Sequence, residues 1–461
     1  MKEPEKYAHK MVKKIRLRLP DIPSAFGRVA LELGNQGAML GDIYKVHLTS
    51  QHIVRDLIVY FDSEQQFMDS IRAIKNLKGY FVLSIEDEVL NIHRGGKIAV
   101  TPTVKMETLS DLRMIYTPGV AEACRHIVEH PEAVREFTSI GNTVCIATNG
   151  SAVLGLGNIG VRAGMPVMEG KSVILHKMGG ISCVPILVES NDTDRIVDTL
   201  EAIAPTFGVI MIEDIRAPLC FEVEEQLQKR LTIPVFHDDQ HGTATVILAA
   251  LIRAIENLKR KKDTLRIVIN GAGAAGIATC NMLLEYGFSD IVVCDSRGAL
   301  YEGRTKNMNS YKRALVKRTN REGMRGRLTD IIAGRDVFIG VSSPHIVSKE
   351  MVALMNQDPI VFALANPIPE IMPTDALNAG AAVALDGRTI NNCLVFPGLI
   401  RGALDARAPR ITFAMKFRAA ETLAALAGKY EMVPNFMNPG IHKKIADTVK
   451  QVALEEMGSS L

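Results

Sequence analysis

Two acidic pairs stand at the ends of apolar runs. Val209-Ile-Met-Ile212 leads into Glu213-Asp214, and Ile233-Pro-Val-Phe236 leads into His237-Asp238-Asp239, then Gln240-His241-Gly242. An unpaired carboxylate is costly to bury. Carboxylates gathered where buried strands end therefore point to a cation, and hard divalent ions such as Mg²⁺ or Mn²⁺ prefer such oxygen ligands. By type alone, Glu213-Asp214 more often marks the acidic start of a helix. His237 and His241 stand four apart, a spacing that also suits zinc, but the neighbouring carboxylates favour a hard ion.

A second chemistry-bearing motif is Gly271-Ala272-Gly273-Ala274-Ala275-Gly276, which follows the apolar run Leu265–Asn270 and opens a helical pattern reaching Glu285. Gly271 suits a tight turn, Gly273 lets a pyrophosphate approach the backbone, and Gly276 allows close packing of helix on strand. The helix N-terminus offers free N–H groups to phosphate. A further strand, Ile291–Cys294, ends in Asp295, placed to accept hydrogen bonds from ribose hydroxyls. This βαβ context predicts a dinucleotide site. Asp295 favours NAD, whereas Arg297 could take a 2′-phosphate, which leaves NADP open. Gly155-Leu-Gly157-Asn-Ile-Gly160 matches the same glycine pattern, but no acidic residue follows at the expected distance and Arg162-Ala-Gly-Met-Pro166 breaks any long helix. It reads as a tight loop near the substrate.

These groups need elements to hold them. The chain has 461 residues, 47% hydrophobic and 23% charged, enough for two to four domains. A net charge of +3 argues for neither nucleic acid nor an anionic membrane as partner. The basic run Lys306–Arg327 reads as a solvated face or loop. No apolar run approaches the roughly 20 residues of a membrane span, and the Lys/Glu-rich start does not look like a secretory leader. Seven scattered cysteines without a CxxC pair favour reduced thiols and a cytoplasmic location.

Residues 1–95 form a pattern of their own. Ile15, Leu17 and Leu19 alternate with arginines as a half-buried strand, and Ser24 starts a helix with Phe26, Val29, Ala30 and Leu33 on one face, stopped by Gly34. Strands at 42–49 and 53–61, a helix capped by Ser63 and carrying Phe67, Ile71 and Ile74, and a strand at 80–86 complete a ferredoxin-like βαββαβ order. With Asp21-Ile-Pro-Ser-Ala-Phe-Gly-Arg28 and Gly34-Asn-Gln-Gly37, the stretch resembles an ACT domain. That resemblance implies a small effector ligand and pairing between subunits; the alternative is a plain packing module. Residues 91–97 read as a linker, 96–245 as an α/β domain, and 246–461 as a Rossmann-type dinucleotide domain entered through a helix at 246–259 and ending in C-terminal helices.

Further segments carry a wider resemblance. They are Ile115-Tyr-Thr-Pro-Gly-Val-Ala121, Thr148–Gly160, Pro166-Val-Met-Glu-Gly-Lys171, Ile212-Glu-Asp-Ile-Arg-Ala-Pro218, Phe236–Ala244, Ala365-Asn-Pro367 and Asn391–Gly398. In this order, with the dinucleotide motif, the chain resembles the malic enzymes over roughly residues 98–430, most of all the shorter bacterial branch. The resemblance implies oxidative decarboxylation of L-malate to pyruvate and CO₂ with NAD(P) and Mg²⁺ or Mn²⁺, in a homo-oligomer. It places metal ligation on Glu213, Asp214 and Asp239, the general base on Lys171 and the acid that protonates the enol on Tyr116. Asn366 and Asn392 become substrate amides, Asn366 lying beside the cofactor as well, and Asp238 a supporting group. Taken alone, Lys171 would be a surface lysine, Tyr116 a core tyrosine and Asn366 a turn residue. Beside a cation, Lys171 is expected to have a depressed pKa. A malolactic reaction releasing lactate and a non-catalytic ligand sensor remain as alternatives. Three departures stand out: Asn149 in place of the branch's usual aspartate, Ser151 in place of threonine, and Ala152 where larger relatives carry an arginine for the substrate carboxylate. Arg162 is the substitute candidate for that clamp.

Overall fold

Ile15, Leu17 and Leu19 are buried to within 1% and the residues between them are half-buried, so alternation sets the face of strand β1 (Met11–Pro20). The computed structural model describes residues 10–48, 51–153, 155–429 and 431–458. Thr49, at the end of an expected strand, and Leu154, within one of the family motifs, lie outside the described residues. Contacts divide the chain into two compact units, residues 1–99 and 100–461.

In the first unit β1 is joined by β2 (Met39–Leu48), β3 (His52–Phe61) and β4 (Phe81–Asp87) in the antiparallel order β2-β3-β1-β4. Helices Ala25–Asn35 and Glu64–Asn76 bury Val29 and Leu33, and Phe67, Ile71 and Ile74, in one core with the strands. This is the expected βαββαβ order. Ser63 caps as expected, accepting from the Gln66 N–H. Ser24 does not: it adopts φ 65° and its side chain makes no capping bond. The first helix continues through Gly34 to Asn35, and the expected linker opens with a helix, Glu88–His93.

The second unit holds two parallel sheets. In the first, β5 (Thr143–Thr148), β6 (Ser182–Leu187), β7 (Val209–Ile212) and β8 (Val235–His237) take the order β6-β5-β7-β8. β5, β7 and β8 are buried along their whole length, as continuous apolar runs in a covered parallel sheet should be. β7 and β8 are neighbours, so their carboxyl ends bring Glu213-Asp214 and Asp238-Asp239 to one edge. The second sheet comprises β9 (Arg266–Asn270), β10 (Asp290–Asp295), the two-residue β11 (Gly298–Ala299), β12 (Val337–Gly340), β13 (Ile360–Ala363) and β14 (Val383–Asp386). Its order is β11-β10-β9-β12-β13-β14, with β11 alone antiparallel. The strand order reverses at β9, which opens the crevice where doubly wound sheets bind nucleotides.

The two sheets share one hydrophobic core. The helix expected at 246–259 instead spans Asp238–Leu258, starting directly after β8 and crossing the expected boundary at 245/246. Among the described residues, no helix is long and apolar enough to cross a membrane.

Candidate active site

The loop after β7 is tied down on both sides. The Glu213 N–H donates to Ala147 O at 2.9 Å, the Asp214 N–H to Asp239 Oδ2 at 2.9 Å, and the Ala152 N–H to Asp214 O at 3.0 Å. Asp214 is held at φ 53°, a left-handed conformation uncommon for a non-glycine residue though open to aspartate. Ligand oxygens of Glu213, Asp214 and Asp239 lie within 4.8 Å of one another. Glu213 is 2% exposed, and its Oε2 is buried without a hydrogen-bond partner. Burial and the charge of Asp239 push the Glu213 carboxyl well above its ordinary range. A crowded carboxylate cluster with a buried, unpartnered Glu213 oxygen fits a divalent cation. The acidic helix start is the other pair: Asp238 and Asp239 occupy the first turn of Asp238–Leu258.

Lys171 arrives from helix Met165–Gly179, whose Met168, Lys171, Ser172 and Leu175 share the buried face at helical spacing. Pro166 lies in the first turn and so begins this helix instead of breaking it, contrary to the sequence expectation. The Lys171 ammonium is 3.0 Å from Glu213 Oε1, ion-paired with Asp238 Oδ2, and 4.8 Å from the centroid of the Phe396 ring. Burial opposes its charge, but with no cation among them Asp238, Glu213 and Asp239 together raise its pKa above that of an ordinary lysine; the expected depression belongs to the cation-bound site. Asn392 Nδ2 donates to the same Asp238 Oδ2 at 2.7 Å. Asp238 thus bridges the lysine and the amide, the supporting place expected for it.

Glu224, Gln240 and Lys416 were not anticipated. Gln240 Nε2 donates to His237 Nδ1 and to Glu224 Oε2, both at 2.8 Å. His237 Nε2 faces Asp239 Oδ2 at 3.1 Å. His241 Nε2 meets Glu224 at 2.9 Å, and its Nδ1 accepts from Lys416 Nζ at 3.2 Å. Both histidines orient carboxylates and do not converge on a zinc site. Glu224 and Lys416 each interrupt the apolar stripe of a helix, Cys220-Val223-Glu224-Leu227 and Met415-Lys416-Ala419-Leu423. A charged residue at a core-facing helical position was the signal available in the sequence.

The departures have structural roles. Asn149 is 7% exposed; its Oδ1 accepts from the Ser151 hydroxyl at 2.6 Å and its Nδ2 donates to Ser190 O at 2.9 Å. The Ser151 hydroxyl oxygen accepts from the Arg216 N–H at 3.0 Å, fastening the loop that carries the acidic pair. Arg162 is exposed on a short 3₁₀ turn and has no ion pair among the described residues.

At the second sheet, Gly271 has φ 121°, and a Cβ there would lie 2.4 Å from Val341 O. A Cβ on Gly276 would lie 1.7 Å from Gly271 O, while one on Gly273 would meet nothing within 4 Å. Gly271 and Gly276 therefore serve packing, and Gly273 faces open space. Ala274 and Ala275 begin the helix Ala274–Tyr286, whose N-cap Gly273 supplies no side-chain bond to the first N–H groups. Gly271 and Ala272 line a cavity of about 770 Å³ with Asp295. These features fit a dinucleotide phosphate. The second glycine motif is a tight loop, with Val153 and Gly157 paired backbone to backbone. Gly155 packs on the turn at Asn366-Pro367, where a Cβ would lie 3.1 Å from Pro367 Cδ.

Three expected site residues stand elsewhere. Asn366 Nδ2 bonds back to Leu364 O at 3.2 Å and makes no hydrogen bond to the carboxylate cluster among the described residues. Asp295 is not free for ribose, being ion-paired with both Arg304 and Lys312. Tyr116 caps helix Leu109–Ile115 with 66% of its surface exposed, and no hydrogen bond joins it to the buried cluster among the described residues.

Comparison with known proteins places this geometry. The family descriptions "Malic enzyme, N-terminal domain" and "Malic enzyme, NAD binding domain" match residues 95–228 and 240–459. A bifunctional malic/malolactic enzyme of Bacillus subtilis is 47% identical over 81% of this chain and 94% of its own. An NAD-dependent malic enzyme of Geobacillus stearothermophilus is 40% identical over 96% of this chain and 93% of its own. The crystal structure of an NAD-dependent malic enzyme from Thermotoga maritima superposes with a TM-score of 0.77 at 37% identity, covering 79% of this chain and 99% of that one. The carboxylate cluster at the ends of β7 and β8 and the glycine turn after β9 thus sit inside two matched domains, and the chain belongs to the malic enzyme family.

Proposed function

We propose that this chain catalyses the metal-dependent oxidative decarboxylation of L-malate to pyruvate and CO₂, with reduction of NAD(P). The observation that carries the reading is the approach of Glu213, Asp214 and Asp239 within 4.8 Å, with the Lys171 ammonium 3.0 Å from Glu213. Glu213, Asp214 and Asp239 would hold Mg²⁺ or Mn²⁺, which would supply a Lewis acid for the substrate's oxygens and offset the negative charge around Lys171. A nicotinamide held in the Gly271–Gly276 crevice supplies the hydride acceptor. Lys171, oriented by Asp238 and Phe396, receives the C2 hydroxyl proton. Asn392, anchored on Asp238, and Asn366 after β13 orient the substrate. The keto acid then loses CO₂, and Tyr116 protonates C3 of the enol.

The exposed place of Tyr116 bears on assembly. Leu109, Met114, Ile115 and Val128, on the same arm, are all more than a third exposed. This supports a homo-oligomer in which a second copy covers the arm. All seven cysteines are unpaired, which supports a reducing, cytoplasmic setting. The βαββαβ order of the first unit supports the ACT-like reading, with a small effector as its ligand; deleting residues 1–95 and finding an unchanged response to metabolites would remove it.

The main test is an assay of purified protein with malate, Mn²⁺ or Mg²⁺, and each cofactor. Reduced cofactor and pyruvate should appear and should be abolished by EDTA. Absence of turnover, or indifference to the chelator, overturns the reading. Lys171→Ala should lower kcat by at least about a hundredfold while leaving cofactor affinity in place. Because one relative is bifunctional, lactate is measured in parallel; lactate without net NADH would assign the malolactic reaction instead.

A further inference from the structure

The carboxylate expected to grip the adenine ribose is already fully occupied. Asp295 ends β10, and its side chain is only 6% exposed. Its Oδ1 accepts from Arg304 Nη2 at 2.6 Å and from the Arg297 N–H at 2.8 Å. Its Oδ2 accepts from Lys312 Nζ at 2.8 Å and Asn307 Nδ2 at 2.9 Å. A carboxylate has about four acceptor positions, and these four donors fill them. The partners are themselves locked: Arg304 also donates to Gly298 O, Ala299 O and Lys306 O, and Lys312 to Asn307 O. A ribose hydroxyl could bind Asp295 only by displacing a charge-assisted bond, the strong kind.

The charge balance of the cavity is correspondingly inverted. Asp295 is the only carboxylate among the residues lining the 770 Å³ space beside Gly271, and it faces two buried cations. Two more arginines, Arg297 and Arg327, line the same space and are exposed. Neither guanidinium has an ion pair among the described residues; Asp330 takes the backbone N–H of Arg327, not its side chain. Ser296 and Ser342 add hydroxyls to the lining. Two unpaired guanidiniums beside a neutralised carboxylate form a site for a dianion, since the planar guanidinium fork matches phosphate oxygens.

We infer that Arg297 and Arg327 form a 2′-phosphate site, so that this chain discriminates in favour of NADP over NAD, while Asp295 is a structural clamp and not a ribose acceptor. The inference rests on the dinucleotide reading of the crevice and reverses the preference that Asp295 alone suggests in the sequence. Arg304, Asn307 and Lys312 hold the clamp, so part of the basic stretch that looked like a solvated face organises the cofactor's adenosine end.

The test is calorimetric titration of the full chain with adenosine 2′,5′-bisphosphate and with 5′-AMP, which differ only in the 2′-phosphate. The bisphosphate should bind at least roughly tenfold tighter. Arg297→Ser and Arg327→Ser should each erode that preference, and the double variant should remove it, with 5′-AMP affinity and melting temperature unchanged. The ratio of kcat/KM for NADP over NAD should fall in the same order. Equal affinity for the two nucleotides, or a preference that survives the double substitution, overturns the phosphate site and leaves the dinucleotide reading standing. Binding of neither nucleotide overturns both.

Discussion

Lys416 shows what a single misplaced charge can report. It is 5% exposed on helix Phe413–Leu426 and donates to His241, which in turn meets Glu224. Burial drives its pKa down to about 8, with Glu224 only partly opposing the fall. In an unfolded chain a lysine titrates near 10.4. Below pH 8 both states are charged and the cost of burying the ammonium is constant. Between about 8 and 10.4 the unfolded state binds more protons, so stability attributable to Lys416 rises with pH. Urea unfolding of wild type and Lys416→Met should therefore show the wild type gaining on the variant by on the order of 3 kcal/mol from pH 7.5 to 10.5. A pH-independent gap would contradict a charged, buried lysine at neutral pH. The same residue marks where reading by residue type reaches its limit. The acidic pairs were legible because four carboxylates ended two apolar runs. Glu224 and Lys416 were obscured because each is one charge on an otherwise apolar stripe, and their partner was another such residue far along the chain.

The turn that follows β9 separates packing from binding. Gly276 and Gly273 belong to one motif, yet a Cβ would meet Gly271 O at 1.7 Å in the first case and open space in the second. Gly276→Ala must move backbone, so it should destabilise the protein by about 1–3 kcal/mol and lower its melting temperature. Gly273→Ala should leave the melting temperature in place and weaken nucleotide binding, because its methyl would project where the pyrophosphate approaches. Thermal melts with ADP titration distinguish the two, and equal effects on stability would contradict the split. Individual strands were readable at this scale, since period-two alternation in β1 and continuous apolar runs in β7 and β9 each have one physical meaning, whereas the order of strands within each sheet was not read. Helix starts were less so. The helix that carries Asp239 begins eight residues before Val246, because its first turn is polar for the sake of the site and lacks the apolar periodicity that marks a helix. Asp295 is a different case. Its position in the fingerprint is the expected one, but the four donors that occupy it come from a loop and helix at 297–312, which nothing in the local motif announces.

At the scale of the whole molecule, the remaining question is how the exposed Tyr116 meets the buried Lys171. Lys171 is held by Glu213, Asp238 and Phe396 in a packed interior. Tyr116 stands on an arm, residues 109–129, whose two helices have no buried residues in the isolated protomer. On the proposal that a second copy covers this arm, cyclic symmetry would let each of two copies cover the other. The proton donor for one site would then come from the neighbouring chain. Co-refolding Lys171→Ala with Tyr116→Phe tests this directly. In a randomly mixed dimer, half the assemblies are heterodimers, each with one site that has both an intact lysine and the partner's intact tyrosine. Activity should therefore return to roughly a quarter of the wild-type value, although each variant alone is nearly inactive. If both groups must come from one chain, no mixture regains activity, and closure of the arm over its own protomer's site becomes the required motion.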